Sequence, residues 1–307
     1  MITRIFTTVA FLMIFSCTWA QVRQRSKFTV NQTPAGIALY EGGKPVLFYQ
    51  VQPKSSTDGI LYNNYIHPLY GLNGEILTQE FPGDHPYHRG IYWAWHQIYA
   101  GEASIGDSWV MKDVRFAVKT AKAEIRKGTA RIFLEADWSS TSFRNGETFL
   151  IEQTSITVLP VKNGKRIIDV SIELKPLFAG LSIGGSEDVE KGYGGFCARL
   201  VTPADLTFTS VNGPVIPTNA QVSAGHWMDF TGTFSMAESS GITIFSHPSN
   251  PGSSSGWILR QKESMQNAVF PGSKRFSLSM KKVTRLHYRI LIHQGKAEIH
   301  DLLQEQV

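Results

Sequence analysis

Apolar and polar positions alternate with a period of two over long runs in the middle of the chain: 115–125, 130–139, 148–160 and 166–176. That period sends every second side chain to one face, the pattern of half-buried antiparallel strands. Arg144-Asn145-Gly146-Glu147 separates the second run from the third, and Lys162-Asn163-Gly164-Lys165 the third from the fourth. Asn-Gly suits a two-residue type I′ turn, because both central residues take positive φ. The four runs therefore predict an antiparallel meander. Upstream, Ile37-Ala38-Leu39-Tyr40 and Val46-Leu47-Phe48-Tyr49 flank Glu41-Gly42-Gly43-Lys44-Pro45, a hairpin signal centred on the glycine pair. Further strands are expected at 196–201, 206–211, 241–246, 275–280 and 285–293. Helical spacing is confined to 297–306, where Ile299, Leu302 and Leu303 line one face. Two stretches, 53–109 and 178–193, break the alternation. The expectation is an all-β protein, a large antiparallel β-sandwich of two extended sheets, with those stretches as its working loops.

The length of 307 residues, with 42% hydrophobic and 18% charged positions, is ample for a large core. No linker rich in Pro, Gly or Ser divides the chain, so a single β-sandwich domain is expected over 21–307. The 30 basic and 25 acidic side chains are scattered, and no basic stripe recommends a nucleic acid as partner. The N-terminus has its own pattern. Arg4, an apolar run over 5–14 and the small-x-small Thr18-Trp19-Ala20 read as a secretory signal peptide over 1–20. The run is too short to span a bilayer. Cleavage after Ala20 is the leading reading; lipidation at Cys17, in the loose lipobox Ile14-Phe15-Ser16-Cys17, is the alternative. Either way the protein is expected outside the cytoplasm, periplasmic or extracellular, without a membrane span. Cleavage leaves Cys197 as the single cysteine, read as a buried small hydrophobe.

Candidate chemistry concentrates in the first irregular stretch. Four of the nine histidines fall within 67–96, and Asp84, His85, His88 and Arg89 put four ionisable side chains into six residues. Histidine can take or give a proton near neutrality, a neighbouring carboxylate can fix its tautomer, and arginine offers a fork for an oxyanion. The bland alternative is a tight loop, marked by Pro82, Gly83, Pro86 and Gly90, whose histidines satisfy backbone groups. Metal binding stays open. His85 and His88 are three apart, with His67 or His96 to complete a set, but the zinc helix motif spaces its pair by four, and Pro86 argues for an extended segment. Trp93 and Trp95 share a strand face, as core or as a platform for a sugar ring. In the second stretch Glu187, Asp188 and Glu190 are a solvated acidic loop or the source of an opposing carboxylate. His247 ends a strand, where a capping role is the default. No P-loop, dinucleotide or C-x-x-C motif occurs, and nothing calls for a cofactor.

The run from His67-Pro68 through Pro82-Gly83-Asp84-His85-Pro86-Tyr87-His88-Arg89-Gly90 to Trp93-Ala94-Trp95 resembles the exported bacterial family labelled "methane oxygenase PmoA". Its members read D-H-x-H-H-R-G here; Asp84, His85, His88, Arg89 and Gly90 match, and Tyr87 departs. Gly194-Gly195 with Arg199, Trp227-Met228-Asp229-Phe230 with Gly232, His247-Pro248 with Asn250-Pro251 and Trp257, and Tyr288-Arg289 also match, whereas 99–109 is less regular than in the family. The resemblance implies a sandwich like that of galactose mutarotases and a carbohydrate ligand. The oxygenase label belongs to a membrane subunit with transmembrane helices, which no segment after the leader supplies. The combined expectation is an exported carbohydrate-active enzyme, an epimerase, hydrolase or lyase. His85 and His88 would perform acid–base work opposite Glu190, and Asp84, Arg89, Trp93, Trp95, Arg199 and His247 would bind substrate. A non-catalytic glycan-binding protein and a metal-dependent oxygenase are the alternatives.

Overall fold

The computed structural model describes residues 28–235, 238–252 and 255–297. The expected leader, and the terminal helix apart from Ala297, lie outside the described residues. Two nine-stranded sheets dominate, and every pairing within them is antiparallel. The first sheet runs in the order Phe28–Gln32, Gly36–Glu41, Lys44–Gln50, Tyr65–Leu69, Ile91–Ala94, Gly195–Ala198, Gln266–Val269, Gly256–Ile258 and Val222–Ser223. The second runs Val114–Arg126, Thr129–Ser140, Thr148–Val158, Lys165–Pro176, Thr284–Gln294, Ser240–Ser246, Trp227–Gly232, Thr207–Ser210 and Gly213–Pro214. A four-stranded sheet of Phe276–Ser277, Leu181–Gly184, Gln97–Ala100 and Ala103–Gly106 lies apart from both. No helix among the described residues is long and apolar enough to cross a membrane.

The meander forms as the alternation predicts. Along Thr129–Ser140 the even positions from Ala130 to Ser140 are buried, while Arg131, Phe133 and Glu135 point outward. The turn at Asn163-Gly164 has φ of 52° and 68°, and Lys162 and Lys165 exchange both backbone hydrogen bonds across it. Gly42 and Gly43, at φ 58° and 81°, close the first hairpin in the same way. The Asn145-Gly146 turn differs from the two-residue form expected. Arg144, Asn145 and Gly146 all take positive φ, and the chain makes a short 3-10 excursion between Ser140 and Thr148. The two irregular stretches also contain strands, Tyr65–Leu69, Ile91–Ala94 and Leu181–Gly184, that alternation could not reveal: Ile91–Ala94 and Leu181–Gly184 are buried throughout, and a strand buried on both faces has no polar phase.

The inner faces of the two sheets meet in one apolar cluster. Phe196 of the first stacks on Tyr288 of the second at 4.3 Å between ring centroids, and Trp95 lies 5.9 Å from Trp138. Within this interior sits a carboxyl group, Glu152, 1% exposed. Asn64 donates its amide to both oxygens at 3.0 and 3.2 Å, Trp138 donates its indole N–H at 3.0 Å and Thr154 its hydroxyl at 2.8 Å. The Trp93 indole N–H acts on the same group electrostatically, without a hydrogen bond of standard geometry. Burial raises the Glu152 pKa against these donors. Asn64 in turn accepts from the Tyr49 hydroxyl at 2.6 Å, so the network ties the first sheet to the second. Glu152→Ala would leave three donors unpaired, each costing about 1–3 kcal/mol. Chemical denaturation is expected to show a loss of more than about 3 kcal/mol, with Glu152→Gln losing less. Because both sheets share this interior, the wild-type protein should unfold in one transition.

Candidate active site

The histidine loop is built by its own backbone. Glu80 and Arg89 pair as an isolated bridge, and Phe81 N–H donates to the His88 carbonyl at 2.9 Å. Inside that clasp His85 N–H donates to the Pro82 carbonyl and His88 N–H to the His85 carbonyl, two consecutive turns. Gly90 ends the loop at φ 51°; a Cβ there would stand 1.9 Å from the Ile66 carbonyl oxygen, so this position admits glycine alone. The prolines and glycines thus mark a rigid excursion from the edge of two strands.

Arg199 holds the excursion in place. It follows the Gly195–Ala198 strand, is 2% exposed, and receives no solvent of consequence. Its guanidinium grips Asp84 bidentately, Nη1 to Oδ2 at 2.8 Å and Nη2 to Oδ1 at 2.9 Å, while Nε donates to Gln79 Oε1 at 3.0 Å. Burial alone would raise the Asp84 pKa, but hydrogen bonds from Arg199 and His85 overcome it and hold the carboxyl at about 2. The anion then acts on His85, whose Nδ1 lies 2.7 Å from Asp84 Oδ2. A carboxylate can only accept, so Nδ1 carries the proton and Nε2 of a neutral His85 has a free lone pair.

His88 is arranged the other way. Its ring stacks on that of His85 at 4.6 Å and 9°, and its Nδ1 faces Arg199 Nη1 at 3.5 Å. The guanidinium has no lone pair to offer, so His88 Nδ1 accepts and Nε2 carries the hydrogen. Burial, then His85, Arg199 and Arg89, lowers the His88 pKa to about 2. Two parallel imidazoles therefore present opposite faces of acid–base chemistry, an acceptor on His85 and a neutral donor on His88.

Both line a cavity of about 230 Å³. Tyr87 stands edge-on to the two imidazoles at 5.6 and 5.0 Å, and Trp109 forms another wall, 5.9 Å from His88. Lys191 and Tyr193 enter from the second irregular stretch, and Arg260, Glu263 and Met265 from the segment before Gln266–Val269. Arg260 donates to the carbonyls of Thr218, Leu259 and Asn219, and burial lowers its pKa. Behind Trp109 lies a second carboxylate–imidazole pair: His96 stacks on the indole at 5.0 Å and its Nδ1 meets Asp107 Oδ2 at 2.8 Å.

The structure brings Asp84, His85, His88 and Arg199 together and separates the other expected residues from them. Arg89 is 1% exposed and sandwiched between the Tyr62 and Tyr92 rings, at 4.7 and 4.5 Å. Its Nη groups donate to the carbonyls of Tyr87, Ser108 and Trp109, so it braces the loops from below and offers no fork to a ligand. Trp93 and Trp95 belong to the apolar interior, because their face of the strand points toward the second sheet. Glu190 is exposed and absent from the cavity wall; its neighbour Lys191 is there instead, bound to Asp188 at 3.0 Å. His247 lies on the outer face of the second sheet, beside His287. Cys197 is free and buried, and burial raises its pKa far above the thiol range. Among the described residues no group of three His, Cys, Asp or Glu converges to hold a metal. Asp84 and His85 turn their donor atoms to each other and a guanidinium stands between Asp84 and His88, so the loop does not fit a metal centre. Trp109, Tyr193, Arg260 and Glu263 were not among the residues expected. Trp109 carried a signal, a tryptophan in the irregular stretch, whereas the 260–265 segment carried none.

The two depressed pKa values give stability a pH dependence of known sign. Between about 2 and 6.5, an unfolded chain binds a proton at the His88 position that the native state does not, so stability falls as pH drops below 6.5. Asp84 adds to the fall below 3.8, where the unfolded carboxyl protonates first. His88→Gln is expected to flatten the melting-temperature profile between pH 6.5 and 4; a slope equal to that of the wild type would contradict a neutral, buried His88.

No curated protein matches the chain. Among solved structures, one titled a putative mutarotase (YeaD) from Salmonella typhimurium is 12% identical, with a TM-score of 0.33 over 87% of this chain and 90% of that one. A likeness of that size carries no argument about this site. The oxygenase label of the resembling family is not met; the family model that matches, over residues 36–305, is described as a family of unknown function (DUF6807). The chain belongs to that family.

Proposed function

We propose that the protein is an exported carbohydrate-active enzyme that moves protons on a single sugar or oxidised sugar. The observation that carries this reading is the pairing of His85, oriented by Asp84 as a base, with a stacked His88 that is a neutral donor, at one cavity. A base beside a neutral hydrogen-bond donor suits removal of a proton from carbon by His85 and its return from the protonated His85, while the His88 N–H binds the oxygen on which charge develops, as in epimerisation or isomerisation. Hydrolysis is less well served. Glycosidases ordinarily use two carboxylates flanking the bond, and Glu263 is the one acid in the cavity wall. The volume of about 230 Å³ lies below the range usual for drug-sized ligands and suits one sugar ring. Tyr87, Trp109 and Tyr193 supply the aromatic faces that the sequence pointed to at Trp93 and Trp95. Arg199 acts through Asp84 and His88 as a positioning residue. Export rests on the N-terminal pattern, and the carbohydrate class on the family resemblance together with this polar, aromatic-walled cavity.

The expected outcome of a ¹H NMR screen of aldoses, keto-sugars and uronic acids in D₂O is catalysed conversion or C–H exchange for at least one of them. His85→Ala and His88→Ala should each lower that rate by about a hundredfold or more, with cooperative unfolding retained. Arg199→Lys, which keeps the charge and loses the bidentate grip, should lower the rate and shift the pH profile. Turnover unaffected by either histidine variant would overturn the assignment. Absence of turnover across the whole screen, with a sugar bound in the cavity, would favour the glycan-binding alternative.

A further inference from the structure

The outer face of the second sheet, on the opposite side of the sandwich from the histidine cavity, is grooved. Cavities of about 350, 360 and 320 Å³ follow one another across it. The first two share Ser155 and Ser171, the last two Ser249 and His287, so they form one continuous channel open to solvent. It crosses Val114–Arg126, Thr129–Ser140, Thr148–Val158, Lys165–Pro176 and Thr284–Gln294, which are neighbours in that order. At about 4.8 Å between strands, those crossings give a length of roughly 19 Å, before the groove leaves the sheet beside Pro251 and Lys282. That is room for several linked sugar rings, where the histidine cavity has room for one.

The lining selects among ligand classes. Two of its three acids are paired with arginines: Asp169 accepts from Arg289 Nε at 2.6 Å and Nη2 at 3.1 Å, and Glu173 accepts from Arg285 at 2.8 Å, while the third, Glu135, accepts from the Gln153 amide at 2.8 Å. No sign of charge dominates, so a polyanion meets no basic stripe. What remains is a run of hydroxyls and imidazoles. His247 and His287 face each other with ring centroids 5.9 Å apart. His247 Nδ1 accepts the Ser249 backbone N–H at 3.0 Å, which leaves the hydrogen of a neutral ring on Nε2. Burial, then His247, lowers the His287 pKa, so the groove gains no cation there. Phe133, 39% exposed near the far end, provides one apolar ring face for stacking, too small a patch for a protein partner.

We infer that this groove binds a neutral polysaccharide chain, as a surface separate from the histidine cavity. Hydroxyls, imidazoles and the exposed Phe133 ring match the chemistry of an uncharged glycan. A substrate sugar handled on one side and a polymer held on the other would keep the protein at the material from which its substrate comes.

The test is isothermal titration of the full-length mature protein with cellohexaose, xylohexaose, mannohexaose and maltohexaose, and with hexagalacturonate as the charged comparison. At least one neutral hexaose is expected to bind. Ser171→Arg, which plants a long side chain at the junction of two cavities, and Phe133→Ala should each weaken it about tenfold or more. His85→Ala, which addresses turnover, should leave hexaose binding intact, and Phe133→Ala should leave turnover intact. Both substituted positions face outward, and Phe133→Ala removes a ring from the outer face of the sheet and none from the apolar interior, so at least that variant tests the groove in a folded protein. Failure of all four neutral hexaoses to bind, binding unchanged in Phe133→Ala, loss of binding in His85→Ala, or tighter binding of hexagalacturonate would each overturn the proposal.

Discussion

The bidentate ion pair between Arg199 and Asp84 is the constraint on which the candidate site depends. An arginine buried at the end of a central strand needs an anion, and the nearest place to find one is a loop that crosses above it. Meeting that need fixes Asp84, and the fixed carboxylate sets the tautomer of His85. The same guanidinium sets the opposite tautomer in His88. One cation thus orders three side chains, and the complementarity of the two imidazoles follows from the fact that guanidinium only donates and carboxylate only accepts. Removing Asp84 leaves the buried Arg199 guanidinium without its anion, which makes this contact costly to lose as well as directive.

The sandwich supplies the rigidity that such an arrangement needs. Arg199 is anchored by its own backbone N–H to the Gly90 carbonyl, and Gly90 is pressed against the Tyr65–Leu69 strand. Beneath, the Glu152 network joins the two sheets through Asn64, Trp138 and Thr154, so the floor of the site is tied to the far side of the molecule by hydrogen bonds as well as by apolar packing. Arg89, held between two tyrosine rings, braces the loop from beneath by bonding its Tyr87 carbonyl and the Ser108 and Trp109 carbonyls of the neighbouring segment. Ionisable residues crowd 84–89 because the loop carries the anion that Arg199 needs, the two histidines packed beside that pair, and its own brace, Arg89.

How much of this was legible depended on the kind of signal. The meander was readable because its strands are half-buried, and a strand with one wet face writes its period into the sequence. Strands buried throughout have no polar phase to read: of three such, Gly195–Ala198 was located by its apolar run, while Trp227–Gly232 and Gln266–Val269 were not. The histidine loop stood out by composition, yet composition could not say which of its charges faces a ligand. Arg89 and Arg199 look alike in sequence; only burial between Tyr62 and Tyr92 separates the brace from the residue that grips Asp84. Trp93 and Trp95 shared a face as expected, but that face is the interior one. The aromatic walls, Trp109 and Tyr193, come from loops whose approach is a tertiary fact, and Arg260 and Glu263 belong to a segment without any local pattern.

The central claim is that the ion pair sets two stacked imidazoles into opposite tautomers. Long-range ¹H–¹⁵N correlation of the histidine rings, assigned with His85→Gln and His88→Gln, reads this directly. The account predicts a neutral His88 with its hydrogen on Nε2 at pH 7, and a neutral-form His85 with its hydrogen on Nδ1, converting to the Nε2 form in Asp84→Ala. Both rings carrying hydrogen on Nε2 in the wild type, or a His88 doubly protonated at pH 7, would contradict it.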